Sequence, residues 1–527
     1  MRFRKKLSFV TVMAALFAVL FFVGCASAAA PVERVPGRAY ELVLLHTNDH
    51  HGRVLSSNGV GGLAERATFV NRVRAANQNV LLLDAGDMNS GTALSNMFAA
   101  EIDIRAYNMI GYDAMTFGNH EFNLGLERLN TQMAIAEFPF VSSNITTGRN
   151  RFLGGNQYLV KDYEGFRVGI IGLTTLRTLV ISHPDTGRNF TFLPEIDAAR
   201  AAVDLLRNRE RVDIVIALTH MGDVREYDDH VTTRDLALAV PGIDIIVDGH
   251  THTRFETPAR VGNTWLVSAQ DWGRFVGQGR LSIVDGRLTR FDWELVPITS
   301  EAFPPDAQVR AMMAPFVARA EASLREVVGE ASDTFIFAPR LTRFGETAIG
   351  NMICDANVWY VRNILNQEID FAFHNGGNIR TELPRGPLTR EHILTVLPFE
   401  NMLYIVSLQG SEIIELFNFI ATIPQGNGGF PQFSREVRYT LDVPNRNISN
   451  LTIGGAPVDP NRVYRFVTND FILGGGDGYA VLTRAHNRLD TSLLLSYVVI
   501  EYINYQQGVI TPATDGRMLV IGGVAPF

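Results

Sequence analysis

The chain has 527 residues, 46% of them hydrophobic and 19% charged, with a formal net charge of −8. These proportions suit a globular protein of two or three domains and exclude a disordered or fibrous class. The acidic balance also argues against a general binder of nucleic-acid polymers, whose phosphate affinity rests on clustered Lys and Arg. An anionic substrate would need positive charge from metal ions or from particular arginines.

The chain opens with MRFRKKLSFVTVMAALFAVLFFVGCASAAA, in which Arg2, Arg4, Lys5 and Lys6 precede a long apolar run that ends in small residues. This is the pattern of an export signal, so residues 1–30 are set aside from the fold, and the mature protein is expected in the periplasm or at the cell surface. Processing before Cys25 with lipidation of that cysteine is the first expectation, and the lipid would then be the contact with a membrane. Cleavage after an A-x-A pattern near Ala28 or Ala30, or retention as an anchor, are the alternatives. Cys354 is the one other cysteine, so no intrachain disulfide is expected once Cys25 is lipidated or removed.

Over residues 38–300, short runs rich in Val, Ile and Leu alternate with longer amphipathic stretches, the pattern of an α/β domain. The expected strands are YELVLL, VLLL, AMTF, VGIIGL, IVIAL, IDIIV and TWLVSA. Residues 305–329 open with two prolines and continue with helical spacing, which predicts a connecting helix. A second domain is expected over 333–527, with a helix at ETAIGNMICDANVWYVRNIL, a strand at IDFAFHN and a helix at SEIIELFNFIATI.

In the first domain, five strands end in residues that can bind metal: Asp49 and His51 in LLHTNDHHG, Asp87 in LLLDAGD, Asn119 and His120 in MTFGNHE, His220 in IALTHMG, and His250 and His252 in IIVDGHTH. In open α/β sheets, ligands gather beyond the carboxyl ends of strands, so these segments converge if the strands are neighbours. Imidazole, carboxylate and amide oxygen together suit Zn, Mn, Fe or Co. His46, His50, His230, His374 and Asp84 are expected to serve packing and turns.

In this order, HTNDHHG, GD, GNHEF, THMG and GHTH resemble the motifs of calcineurin-type metallophosphoesterases, and more narrowly those of the 5′-nucleotidase family. The resemblance implies an N-terminal four-layer α/β/β/α sandwich, the connecting helix and a smaller α/β substrate-binding domain. It also implies two divalent metal ions, Zn, Mn or Co, with Asp49, His51 and His252 on one, Asn119, His220 and His250 on the other, and Asp87 between them. Such a pair, about 3.5 to 4 Å apart, clamps phosphoryl oxygens and acidifies water. His120 is then the catalytic contact to the phosphoryl group or leaving oxygen, and Arg53 a further phosphate contact. Asn123 is a departure, because the family's usual residue is an Asp that orients and charges the histidine. Asn can orient the ring without adding charge, so activity is expected to be favoured at lower pH than with Asp. His252 also stands where Gln or Asn is common.

LTRFGETAIGN, HNGGNIR, LPFEN and DFILGGGDGY resemble the substrate motifs of 5′-nucleotidase C-terminal domains. The resemblance implies that Phe399 and Phe471 sandwich a nucleobase, each stacking contact being worth about 1 to 3 kcal/mol. Asp477 would hold the ribose, Arg343 and Arg380 the phosphate, and Asn375 the base. Asn378 replaces a usual glycine and is expected to narrow or polarise the pocket. The expected activity is hydrolysis of nucleoside 5′-monophosphates, with the second domain swinging about 305–329. Hydrolysis of UDP-sugars or other nucleotide diphosphates, or of 2′,3′-cyclic nucleotides, is the enzymatic alternative. A nucleotide-binding surface receptor without catalysis is the alternative of another class.

Overall fold

The computed structural model describes residue 29 and residues 32–524, apart from 90, 149–150, 183–185, 226–229, 338–340, 400 and 507. The export segment and Cys25 lie outside the described residues. Among those described, no helix is long and apolar enough to cross a membrane.

Two sheets organise the N-terminal half. Their strands are β1 (Ala39–Thr47), β2 (Val80–Asp84), β3 (Ala114–Met115), β4 (Tyr158–Tyr163), β5 (Phe166–Thr174), β6 (Ile214–His220), β7 (Ile245–Asp248), β8 (Ala259–Val261), β9 (Thr264–Val267), β10 (Phe275–Val284) and β11 (Arg287–Pro297). The first sheet has the order β11-β10-β1-β2-β3 and the second β8-β9-β7-β6-β5-β4. Every apolar run named above for this domain overlaps one of these strands, although only Ala114–Met115 of AMTF, 245–247 of IDIIV and Thr264–Val267 of TWLVSA are strand. β1, β2 and β3 are mutually parallel, as are β5, β6, β7 and β9, so the residues that follow them leave at the same end of each sheet.

The layers follow from side-chain alternation along each strand. Leu42, Leu44, Leu81 and Leu83 face Val168, Ile170, Ile216 and Val247 across the gap between the sheets. Their neighbours Val43, Leu45 and Leu82 face outward onto α1 (Leu63–Ala76) and α2 (Glu101–Ile110). On the second sheet, Ile171, Leu173, Val215 and Ile246 face α3 (Glu195–Asp204) and α4 (Thr233–Ala239). The result is the four-layer α/β/β/α sandwich. α4 starts where Thr232 and Asp235 form a reciprocal capping box.

The connecting helix, α5, runs Ala307–Ser323 and is shorter than the 305–329 expected. Asp306 caps its start by accepting from the backbone N–H groups of Gln308 and Val309. It ends early because Val327–Ala331 is drawn into a strand between Gly386–Thr389 and Val509–Ile510. The C-terminal half carries β12 (Phe371–Asn375), β13 (Met402–Gln409), β14 (Pro431–Phe433), β15 (Val463–Asn469) and β16 (His486–Leu494), ordered β14-β12-β15-β13-β16. One face packs on α6 (Ala348–Asn363) and α9 (Leu495–Tyr505), the other on α7 (Gly410–Ile420). A single turn, α8 (Asp470–Leu473), lies between β15 and β16.

The two N-terminal sheets touch near their carboxyl ends at Gly172. Ser143 donates its N–H to the Gly172 carbonyl at 2.6 Å, and a Cβ at Gly172 would lie 2.1 Å from the Val141 carbonyl oxygen. This close approach lets ligands from both sheets share one site. Gly172→Ala is therefore expected to destabilise the fold by about 1–3 kcal/mol through overpacking, read as a lower thermal midpoint. An unchanged midpoint would show that the sheets separate there without cost.

Candidate metal centre and nucleotide-facing residues

Each ligand candidate sits in the first turn after a strand: Asp49 and His51 beyond β1, Asp87 beyond β2, Asn119 beyond β3, His220 at the last position of β6, and His250 and His252 beyond β7. Five of these seven adopt left-handed backbone: Asp49 (φ 49°), His51 (φ 51°), Asp87 (φ 55°), His250 (φ 84°) and His252 (φ 51°). Such conformations cost a non-glycine residue roughly 1 kcal/mol or more, and cluster where a site imposes them.

All seven converge. Donor atoms of Asp49, His51 and His252, of His51, Asp87 and His120, and of Asp49, Asp87 and His220 form three sets, each within 4.8 Å. Oδ2 of Asp87 lies 2.9 Å from His220 Nε2 and 4.0 Å from His51 Nε2. His51 and His252 bring their Nε2 atoms to 3.0 Å of each other, and His250 Nδ1 is 2.9 Å from Asn119 Oδ1. Two carboxylates, four imidazoles and an amide oxygen brought to one place fit divalent cations, because all are lone-pair donors of the type such ions take.

Other groups aim these ligands. His220 donates Nδ1–H to the Ala85 carbonyl at 2.9 Å, which turns Nε2 inward. Asp271 lies 3.4 Å from His252 Nδ1, and Asn48 donates to Asp49 at 2.6 Å. Glu121, only 1% exposed, accepts the backbone N–H groups of Asp87, Met88 and Gly118 at 2.9, 2.9 and 2.6 Å, and so ties the loop after β2 to the loop after β3. Burial, with the charge of Asp87, pushes the Glu121 carboxyl up to about 8. Burial alone would raise Asp87, but the imidazoles of His220, His120 and His51 hold it well below the carboxylate range. Burial likewise opposes charge on His220 and His252, yet Asp87 and Asp49 bring His220 up to about 10, and Asp49 and Asp271 bring His252 up to about 9. Glu121 stands inside the quoted GNHEF motif and was open to sequence reasoning. Asp271 and Ala85 were not, since only the fold brings them near.

His120 sits at the edge of the cluster, its Nε2 3.7 Å from Asp87 Oδ2. The Asn123 amino group lies 2.6 Å from Nδ1; as the donor, it leaves Nε2 as the protonated nitrogen of a neutral ring. That nitrogen meets Ser492 Oγ of β16 at 2.9 Å, so the second domain reaches the centre directly. Ser492 has φ 48° and is 2% exposed. His46, His50, His230 and His374 lie outside the ligand sets. His46 accepts from the Trp293 indole N–H at 2.9 Å, while His50 meets the buried Arg66.

Arg53 stacks on Trp272 with its guanidinium carbon 4.3 Å from the ring centroid. It lines an interdomain cleft of about 1070 Å³ with Gly52, Thr92, Arg319 and Leu494. The other nucleotide-facing candidates gather at one end of the C-terminal sheet. Asn375 ends β12 and donates to Asp477 at 2.8 Å. Phe399 and Phe471 are 48% and 49% exposed, open rings of the kind that stacking requires. Arg380 lies 5.6 Å over Phe399. Arg343 accepts the Gly426 N–H at its carbonyl. Asn378, 4% exposed, is buried behind this surface.

Known proteins match this architecture over most of the chain. Residues 42–254 match the family model for calcineurin-like phosphoesterases, and residues 327–484 that for the C-terminal domain of 5′-nucleotidases. Protein UshA of Yersinia enterocolitica is 31% identical, with 88% of this chain and 91% of that protein aligned. A 5′-nucleotidase of Vibrio cholerae is 31% identical over 91% of this chain and 93% of its own. Among solved structures, a 5′-nucleotidase precursor from Thermus thermophilus is similar at 31% identity and TM-score 0.55, covering 92% of this chain and all of that one. The NAD nucleotidase of Haemophilus influenzae shares the fold at TM-score 0.75 and 20% identity, with 92% of this chain and 100% of that one covered. With sheets, ligand cluster and second domain all in agreement, the chain belongs to the 5′-nucleotidase family of calcineurin-like phosphoesterases and is a hydrolase of phosphoric esters that uses two divalent metal ions.

Proposed function

We propose that this enzyme is an exported 5′-nucleotidase, which hydrolyses nucleoside 5′-monophosphates to nucleoside and phosphate. Residues 38–300 form the phosphoesterase domain, 305–329 the linker and 333–527 the nucleotide reader. The observation that carries this reading is one cluster of seven candidate metal donors, five of them buried, joined to a second domain that presents two half-exposed phenylalanines beside an Asn–Asp pair. Asp49, His51 and His252 would hold one ion and Asn119, His220 and His250 the other, with Asp87, 2.9 Å from His220 and 4.0 Å from His51, within reach of both groups. His120 donates Nε2–H to a phosphoryl or leaving oxygen while Asn123 holds its ring. Arg53, Arg343 and Arg380 bind phosphate, Phe399 and Phe471 sandwich the base, Asn375 contacts it, and Asp477 holds the ribose. The N-terminal segment directs the enzyme to the periplasm or cell surface, with lipid on Cys25 as its anchor.

Phosphate release from AMP should stop with EDTA and return with Mn²⁺, Co²⁺ or Zn²⁺, and AMP should exceed UDP-glucose and 2′,3′-cyclic AMP in kcat/KM. Preference for either of those two would reassign the substrate, and no release from any nucleotide would leave the receptor reading.

Asp87 and Asp49 favour the charged form of His220, and Asp49 and Asp271 that of His252, whereas a cation takes the unprotonated nitrogen, so metal competes with protons at both rings. Calorimetric titration of EDTA-treated protein with Mn²⁺, in buffers of different ionisation enthalpy, should show proton release. Affinity should rise with pH. Binding without proton exchange would contradict the ligand assignment.

Ser492 accepts the same His120 N–H that a phosphoryl oxygen would take. Glycine adopts φ 48° freely, so Ser492→Gly should fold normally and lower KM for AMP by about two- to tenfold, the value of one hydrogen bond, with kcat little changed. A fall in kcat would instead make Ser492 a participant in the reaction.

A further inference from the structure

Beneath the exposed nucleotide-facing surface runs a row of buried polar side chains that, apart from Asn375, the reaction above does not use. Asn357 and Asn469 are 0% exposed, His374 1% and Asn375 5%. The Asn469 amino group donates to Asn375 Oδ1 at 3.1 Å and to His374 Nδ1 at 3.2 Å. Asn375 passes the direction on by donating to Asp477 Oδ2 at 2.8 Å. On the far side, the Asn357 amino group lies against His374 Nε2. The other end of Asn469 is also occupied, because its Oδ1 accepts the Ile472 N–H at 3.0 Å and caps α8, the turn that carries Phe471.

From Asn469 through Asn375 to Asp477 the row has a single polarity. Burial pushes His374 down to about 3, so the ring is neutral and has one donor and one acceptor nitrogen. Nδ1 lies against the Asn469 amino group and accepts from it. An amide's two ends have nearly the same shape, so packing alone does not decide which end of Asn375 faces a ligand. The Asn469 donor does decide it, by claiming the oxygen of Asn375 and leaving the amino group for Asp477. An aliphatic residue at 469 would fill the space, but would leave a buried amide oxygen unpaired and α8 uncapped.

We propose that Asn469 is a positioning residue for nucleoside recognition. Its amino group sets the amide of Asn375 and, through it, the carboxylate of Asp477, while its oxygen sets the turn that presents Phe471. Two hydrogen bonds and one ring are thereby aligned by one buried side chain. The proposal rests on the reading of Asn375, Asp477 and Phe471 as nucleoside contacts.

Asn469→Asp keeps the shape and the cap but replaces the amino donor by an acceptor. Asn469→Thr keeps a capping oxygen, avoids a buried charge and removes the amide, so one of the pair remains usable if the other folds poorly. Each is compared with wild type using AMP and p-nitrophenyl phosphate, an ester that offers the metal centre a phosphate without a nucleoside. KM for AMP should rise on the order of tenfold, the loss of one or two hydrogen bonds, with kcat for AMP and both constants for p-nitrophenyl phosphate nearly unchanged. Equal losses on both esters would make Asn469 merely structural and overturn the proposal. If KM for AMP stays constant in both variants while Phe471→Ala raises it, the proposal fails and the site reading stands. If Phe471→Ala and Asp477→Ala leave KM for AMP unaltered too, the site reading fails with it.

Discussion

The first domain is arranged around one carboxylate. Asp87 is 2% exposed and has the imidazoles of His51, His120 and His220 within 4.0 Å. Protonated, those rings would repel one another; neutral, they would leave two buried carboxylates without opposite charge, at several kcal/mol each. A pair of divalent cations resolves that imbalance, since imidazole, carboxylate and amide oxygen are all lone-pair donors when deprotonated. The centre therefore depends on holding Asp87 in place, and the backbone around it is built to do so. Gly118 approaches so closely that a Cβ there would lie 2.0 Å from Asp87 Oδ1. Glu121 binds the loops on either side through their N–H groups.

Such convergence has a conformational cost that the sheets offset. Five ligand residues in left-handed backbone would not hold that conformation in isolated loops. Here each leaves a strand whose register is set by burial on both faces, so a slip would expose Leu or Ile on one face and clash on the other. The parallel strands deliver the ligands from one end of each sheet, and the contact at Gly172 brings the two ends together. Rigidity in the sandwich is thus the source of precision at the centre.

Much of this was legible in the chain because strand and ligand are neighbours in sequence. The apolar run that makes β6 ends in His220 itself, and the same adjacency marks Asp49, Asp87, Asn119 and His250. What could not be read is what only tertiary structure joins. Asp271 reaches His252 across a loop, Ser492 meets His120 from another domain, and the end of α5 is set by a strand partner at 386–389. The histidines reserved for packing divide in the same way. His46 is answered by a distant indole, whereas His374 enters a polar row whose other members lie as far along the chain as Asn469.

The two domains meet at His120, whose Nε2 lies 2.9 Å from Ser492 Oγ. An Asp at position 123 would accept from Nδ1, whereas Asn123 as donor moves the neutral ring's single proton to Nε2. In the proposed reaction, that N–H is directed at an oxygen of the phosphoryl group. Ser492 already accepts that N–H with a neutral hydroxyl. A phosphoryl oxygen is charged, and a charged acceptor makes a hydrogen bond roughly twice as strong as a neutral one. On the proposed function the exchange runs toward substrate, and the interdomain contact is one that the enzyme's own reactant would be equipped to displace.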